Sequence, residues 1–454
     1  MKILGLEQQA IATAFTGGRV TVAVYGLGKM GLPLAAVFAA RGARVVGVDI
    51  DPAVADEINN GHCPVVKEPG LPEMVAAAVA GGRLSATTDG MTAAGEADVI
   101  VILVPCLLNG DKRPDLTAIS DVCAAIASGL SRGDLVILET TVPPCTTWDV
   151  VLPILRQSGL KEGDFGLAFC PERTSSGRAI RDITGAYKKV VGGIDAPSTT
   201  AAAALYSAIN EKGVVTVSSP TAAELVKLFE GVYRDVNIAL SNELAMVCRE
   251  MGVSTAEVFP AVNEPFDEDC GRYLYNVHRP GAGVGGHCIP VYPYFVSGSA
   301  TSDTGLIKLA RQINEAMPFH VVELVKEGLG ELGRDVKGSN VLVLGLAFRG
   351  GVKEARNAPA IPIIRHLSEL QANVYLYDPL FSKEEVEGYG AAHRNGFADM
   401  DCLVIVTDHR EFREYDWREI ATHMRSRVII DGRQIIDSGL VRKLGFVYKG
   451  IGVP

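Results

Sequence analysis

The stretch TVAVYGLGKMGLPLAAVFAARGARVVGVD, Thr21 to Asp49, decides the fold. Thr21 to Gly26 is an apolar run of the length of a buried strand. Gly26-Leu27-Gly28-Lys29-Met30-Gly31 follows it, Pro33 to Gly42 reads as a helix, and Ala43 to Asp49 reads as a second apolar strand. Strand, glycine turn, helix and strand make one parallel α/β unit. In that context a GxGxxG spacing carries weight that it lacks alone. Gly26 permits the tight turn, Gly28 lets the backbone approach a pyrophosphate, and Gly31 lets the helix close on the strand, with the helix N-terminus as the anion site. Asp49 ends the second strand. Its carboxylate accepts from a ribose diol and repels a 2′-phosphate, so NAD is expected over NADP.

Further strands are expected at Ala97–Pro105, Asp134–Thr140, Asp164–Pro171 and Tyr187–Gly193. Thr221 to Met251 reads as one long helix stopped by Gly252, with Leu225, Leu228, Phe229, Val232, Val236, Ala239, Leu240 and Leu244 at three and four spacing. Such a stripe suits a subunit interface as well as a core. Residues 253–300 are rich in Gly and Pro and read as irregular, and Ile307–Gly333 returns to helix. A last set of strands is expected at Ser339–Phe348, Ala372–Pro379, Asp401–His409 and Ser426–Arg433. Gly345–Gly350 there echoes the first glycine turn, with Ala347 at the central position and Asp378 ending the next strand. Arg349, Lys353 and Arg356 beside it suit a phosphate-bearing ligand better than a second dinucleotide. The fold class is therefore α/β: an N-terminal Rossmann-type NAD domain over 1–215, a central helical domain over 216–330 and a C-terminal Rossmann-like α/β domain over 331–454.

Composition agrees. The chain has 454 residues, 48% of them hydrophobic, and a net charge of −10. A disordered chain is excluded, and no nucleic-acid partner is expected. No run of about 18 apolar residues exists, so no membrane insertion is expected. The N-terminal residues lack a signal-peptide core. Nine scattered cysteines without a Cys-x-x-Cys pair point to a reducing, cytoplasmic setting.

Arg279 to Pro290, RPGAGVGGHCIP, sets four glycines before His287-Cys288. Glycines remove bulk around a sulfur and free backbone N–H groups, so the thiol is a candidate nucleophile toward an aldehyde. His287 reads by default as a packing residue, and no metal-ligand spacing is present. Lys227 lies on the long helix three residues after Glu224, which suggests an i,i−3 pair or an ammonium beside a reacting oxygen. Asn237 and Asn242 follow on the same helix. Glu139 and Glu172 follow strands, where ligands of parallel sheets bind, and each suits a base or a turn cap.

The motifs together resemble the UDP-glucose/GDP-mannose dehydrogenase family, and most its UDP-N-acetylhexosamine (N-acetylglucosamine or N-acetylmannosamine) dehydrogenases. They are VYGLGKMGLPLA with Asp49, ETTVPP with Thr146-Thr147, CPER at Cys170–Arg173, AELVKLFE, SNELA, PGAGVGGHCIP and RGGVKEARNAPA. The resemblance implies an NAD domain, a central dimerisation domain and a C-terminal domain for the UDP half. It implies two successive oxidations at C6 of a UDP-sugar, through a thiohemiacetal and a thioester on Cys288. Lys227 matches the lysine that steadies the oxygen, and Glu172 the carboxylate that activates water. Lys29, Met30 and Thr141 fall among the cofactor contacts. Arg173, Arg272, Gly285, Tyr292, Lys353 and Arg356 fall among the substrate contacts, with Asp267–His278 facing the sugar. A homodimer is implied.

Four positions depart from the family pattern. Gly231 replaces an Asn four residues after the lysine, and Tyr292 replaces an Asp four residues after the cysteine. Cys145 replaces the glycine of the VPPG turn, and Ser176 a common proline. Val291 suits the N-acetylhexosamine branch. The alternatives are another UDP-sugar such as UDP-glucose, or a catalytically impaired relative.

Overall fold

A computed structural model describes residues 1–454. The chain forms two compact units, one of Met1–Glu230 with Tyr294–Ser299, the other of Gly231–Pro293 with Ala300–Pro454.

The first unit is built on an eight-stranded sheet: β1 (Thr21–Tyr25), β2 (Arg44–Val48), β3 (Leu84–Thr87), β4 (Val99–Ile102), β5 (Leu135–Leu138), β6 (Gly166–Phe169), β7 (Lys189–Gly193) and β8 (Val214–Thr216). The order is β8-β7-β6-β5-β4-β1-β2-β3. Consecutive residues of β1 feed different cores: Val22 and Val24 enter one, Ala23 and Tyr25 the other. Burial on both faces explains why the strands read as continuous apolar runs. The strands β1 and β4 are parallel, the order in which strands are added to the sheet reverses between them, and the crevice at their carboxyl ends receives the glycine turn. The sheet is not wholly parallel as expected, because β7 runs antiparallel to β6. β3 and β8 are additions to the expected set. Helix α1 (Gly31–Ala40) is buried almost all round, and α2 (Ala196–Ser207) starts from an Asp195 side chain that accepts from Ser198 N.

The second unit repeats the theme with six strands: β9 (Asn340–Leu344), β10 (Asn373–Tyr377), β11 (Ala392–His393), β12 (Cys402–Ile405), β13 (Val428–Asp431) and β14 (Val447–Gly450), in the order β11-β10-β9-β12-β13-β14, all parallel. Val341 and Val343 enter one core, Leu342 and Leu344 the other. Two long helices complete the chain's framework: α3 (Pro220–Glu250) and α4 (Gly305–Gly330). The stretch 253–300 is more ordered than its composition suggests. It holds helices at Thr255–Val262 and Tyr292–Ser299 and a hairpin that pairs Phe266 with Tyr273 and Asp267 with Arg272.

Candidate active site

In the first unit the three glycines of the turn differ in what surrounds them. Gly26 has φ +92°, and a Cβ there would lie 2.9 Å from the Leu103 carbonyl oxygen. A Cβ on Gly31 would lie 1.8 Å from the Gly26 carbonyl oxygen. Both must be glycine for the turn to close at all. Gly28 faces nothing within 4 Å. Its bareness serves no internal contact, which suits a backbone left open to a pyrophosphate. Asp49 is half-buried and holds the turn: Oδ2 accepts from Leu27 N at 2.8 Å, and Oδ1 from Asp51 N at 3.1 Å. These residues fit a dinucleotide. Lys29 is exposed, and the Met30 sulfur accepts from the Thr174 hydroxyl at 2.7 Å.

Thr141 is half-buried beside Thr140, whose hydroxyl donates to Val104 O at 2.7 Å. Glu172 is half-buried beyond β6 and accepts from Thr174 N. Arg173 pairs with Glu230 at 2.5 Å. Lys227 is buried on α3. Its suggested partner Glu224 has another task, since its two oxygens accept from Cys145 N at 2.7 Å, Thr147 N at 2.9 Å and Thr147 Oγ1 at 2.7 Å. Burial raises the Glu224 pKa, against the pull of these donors. Cys145 adopts φ +70°, the left-handed region that favours glycine.

The cysteine loop belongs to the second unit, and its glycines act differently from the sequence-based expectation. They admit neighbours rather than merely clearing space round sulfur. A Cβ on Gly285 would lie 2.5 Å from Phe348 Cβ, and one on Gly281 2.6 Å from Arg433 Nη1. Gly286 N donates to Arg356 O at 2.8 Å, and Asn357 Nδ2 donates back to Gly286 O at 2.9 Å. Farther back, Gly281 N donates to Asn242 Oδ1 at 2.9 Å. Asn242 donates to Asn314 at 3.0 Å, which donates to Asp235 at 2.8 Å; Arg311 pairs with the same Asp235 oxygen at 2.7 Å. A buried polar chain through α3 and α4 thus anchors the loop. Asn237 instead donates to Tyr233 O on the exposed side.

His287 is no packing residue. His287 is exposed, and its imidazole pKa is raised above its ordinary value chiefly by the adjacent Cys288 side chain, with Glu354 adding and Arg356 opposing. Adjacency in the sequence was the only available signal for this pair, and adjacency alone says nothing of side-chain direction. The Cys288 carbonyl accepts from Val291 N and Tyr292 N, both at 3.0 Å. Tyr292 then lies against Gly231: a Cβ there would meet Tyr292 Cδ2 at 2.3 Å. Gly231 and Tyr292 are thus one packed pair. Lys353 pairs with Glu385 at 2.7 Å, and Arg356 is exposed, its Nε 3.9 Å from Glu354. Arg272 is exposed on the small hairpin.

The second glycine turn differs from the first where it matters. Asp378 is buried, accepts from Leu346 N at 2.7 Å and Ala347 N at 2.8 Å, and contacts His409 Nε2 at 3.0 Å. Both carboxylate oxygens are engaged inside the protein, since Oδ1 accepts from Leu380 N at 2.9 Å. Asp49 by contrast remains half-open. All nine cysteines are free thiols, and no group of His, Cys, Asp and Glu is arranged to hold a metal ion.

An open glycine turn on a Rossmann sheet and a loop thiol carried by a second α/β unit are the marks of a dinucleotide-dependent oxidoreductase. Family models are more specific. The NAD-binding domain of the UDP-glucose/GDP-mannose dehydrogenase family matches residues 20–210, its central domain 221–316 and its UDP-binding domain 342–438. The chain belongs to the UDP-glucose/GDP-mannose dehydrogenase family, whose members are NAD-dependent UDP-sugar dehydrogenases. It is 36% identical over 432 residues to the UDP-N-acetyl-D-mannosamine dehydrogenase of Pyrococcus horikoshii, covering 95% of this chain and 99% of that one. The solved structure of the Pyrococcus enzyme superposes with a TM-score of 0.86 over 95% of this chain and 99% of that one. The NDP-N-acetyl-D-galactosaminuronic acid dehydrogenase of Ralstonia nicotianae is 36% identical, covering 91% of this chain and 95% of the relative. A Methanosarcina mazei structure described in the same words is 30% identical with a TM-score of 0.84, covering 98% of each chain.

Proposed function

We propose that this dehydrogenase oxidises C6 of a UDP-N-acetylhexosamine, the mannosamine or glucosamine form, to the uronic acid. The observation that carries the reading is the Cys288 thiol beside the His287 imidazole, whose pKa it raises, on a loop whose glycines admit close neighbours. NAD, when bound, supplies the hydride acceptor for both oxidations; Gly26, Gly28, Gly31 and Asp49 hold it. The first oxidation turns the alcohol into an aldehyde and releases a proton. An aldehyde cannot give up hydride usefully until a nucleophile adds. Cys288 passes its proton to His287, and its sulfur adds to the carbonyl carbon to give a thiohemiacetal. Lys227 steadies the oxygen. The second oxidation leaves a thioester. Water, deprotonated by Glu172, attacks its carbonyl carbon, the carbon–sulfur bond breaks and the acid leaves.

The substrate class follows the relatives' names and Val291; the division of labour is 1–215 for NAD, 216–330 for dimerisation and the thiol, and 331–454 for the UDP half. Arg173, Arg272, Gly285, Tyr292, Lys353 and Arg356 are assigned to the substrate. A homodimer is part of the proposal. The test is a panel of UDP-sugars read by NADH formation. UDP-N-acetylmannosamine or UDP-N-acetylglucosamine is expected to turn over with two NADH per sugar, UDP-glucose poorly. Cys288→Ser is expected to lower net turnover by more than about a hundredfold. UDP-glucose as the best substrate would overturn the substrate class. One NADH with free aldehyde would overturn the second oxidation.

A further inference from the structure

Glu139 stands just beyond β5 and is 1% exposed. It caps no helix: its Oε2 accepts from Lys189 Nζ of β7 at 2.8 Å, and its other oxygen accepts from the Tyr206 hydroxyl of α2. The Lys189 ammonium also lies 4.7 Å from the centre of the Tyr206 ring. Glu172 N donates to Glu139 O at 3.2 Å, so the two carboxylates leave neighbouring strand ends. Glu139, Glu172, Lys189, Tyr206 and Met30 of the glycine turn wall one cavity. A buried ion pair of this kind is a poor source of stability, because desolvation offsets most of the attraction. Its place on the wall of a cavity shared with Glu172 asks for another account.

We propose that Glu139, held by Lys189 and Tyr206, is a positioning residue that acts through Glu172 by taking up the proton Glu172 collects from the attacking water. The inference rests on the hydrolytic step above. Water oxygen bonds to the thioester carbon, its proton goes to the Glu172 carboxylate, and the carbon–sulfur bond breaks with the electron pair leaving on sulfur. The proton then crosses the cavity from Glu172 to Glu139, which restores the Glu172 anion, and later escapes to solvent. Nothing is oxidised or reduced in this step. With Glu139 neutral, the Lys189 ammonium loses its buried counterion, which favours release of the proton from Glu139 before the next turnover.

The groups facing Glu139 suit this task. Burial pushes its pKa up to about 7, the Lys189 ammonium opposes, and the Glu172 charge adds. Cys170, beside it at the end of β6, is held firmly as a neutral thiol by burial. Asp182 and Tyr187 stand on the cavity wall beyond, with Arg173 and Lys188.

The test uses the full-length protein and Glu139→Gln, which keeps shape and removes the acceptor. With UDP-sugar and NAD saturating, kcat is expected to fall about tenfold with KM within about twofold, and the limb of the kcat profile near neutral pH is expected to vanish. Tyr206→Phe removes a donor to the carboxylate, so the limb is expected to move to higher pH. A parallel fall at every pH with the limb unmoved would overturn the proposal in favour of a packing role. A second measurement needs no turnover: infrared difference titration of the protein from about pH 5 to pH 9 follows carboxyl protonation directly. A buried carboxyl band that bleaches near neutrality, and is missing in Glu139→Gln, supports the proposal; its absence from the unsubstituted protein overturns it. Failure of the UDP-sugar panel would refute the assigned reaction and leave this spectroscopic result legible on its own.

Discussion

At the scale of single residues, the informative positions are those whose type and conformation disagree. Cys145 adopts φ +70°, a region that costs an ordinary side chain about 1–2 kcal/mol. Glycine at this position relieves that strain but costs about 0.5–1 kcal/mol through the greater freedom of the unfolded chain. Cys145→Gly is therefore expected to raise stability by roughly 0.5–1 kcal/mol in urea unfolding, and a β-branched Cys145→Val to lower it. A Cys145→Gly variant less stable than the parent would show that the thiol's contact with Thr221 at 3.8 Å outweighs the strain. The same contrast separates the two strand-end aspartates. Asp49 keeps an open side for a ligand, whereas Asp378 is closed in by three backbone donors and His409.

At the scale of elements, α3 tests the reading of its apolar stripe. Leu228 and Val232 turn inward, whereas Phe229, Tyr233, Leu240, Val247 and Met251 remain 47–67% exposed. Their spacing of four, seven, seven and four puts them along one line of the helix. Leu240→Glu is expected to turn a dimer into a monomer at micromolar concentration by light scattering, with the monomer still folded; an unchanged mass would move the interface elsewhere. Elements were legible in the sequence where burial was two-sided or periodic, as in β1, β9 and α3. Leu84–Thr87 escaped because its outward Ser85 breaks the apolar run, and Val214–Thr216 because an exposed edge strand needs none. The antiparallel turn of β7 has no local signature at all. The glycine turn was readable because its chemistry is local; the pairings Glu139–Lys189–Tyr206 and Gly231–Tyr292 were not, because they join residues far apart in the chain.

At the scale of the whole molecule, buried carboxylates tie stability to pH. In the second unit, burial alone would raise the Asp378 pKa, but the His409 contact and the backbone donors outweigh it and hold it below the ordinary carboxylate value. A lowered folded pKa stabilises above the ordinary range, and that stability is lost as pH falls through the folded value. Urea unfolding of the protein followed from about pH 5 down to about pH 2 is expected to show this loss. Asp378→Asn is expected to cost about 1–3 kcal/mol at the higher pH and to flatten the acid side. An Asp378→Asn protein with an unchanged acid slope would assign that slope to Asp401 and Asp408, whose pKa values are likewise lowered. The contact between Gly231 and Tyr292 couples two positions 61 residues apart in the chain. With the ring in place, no larger residue fits at 231; with the ring removed, a hole opens beside the start of the Tyr292 helix. A change at either position is therefore conditional on the other: a larger residue at 231 needs a smaller side chain at 292 in the same molecule.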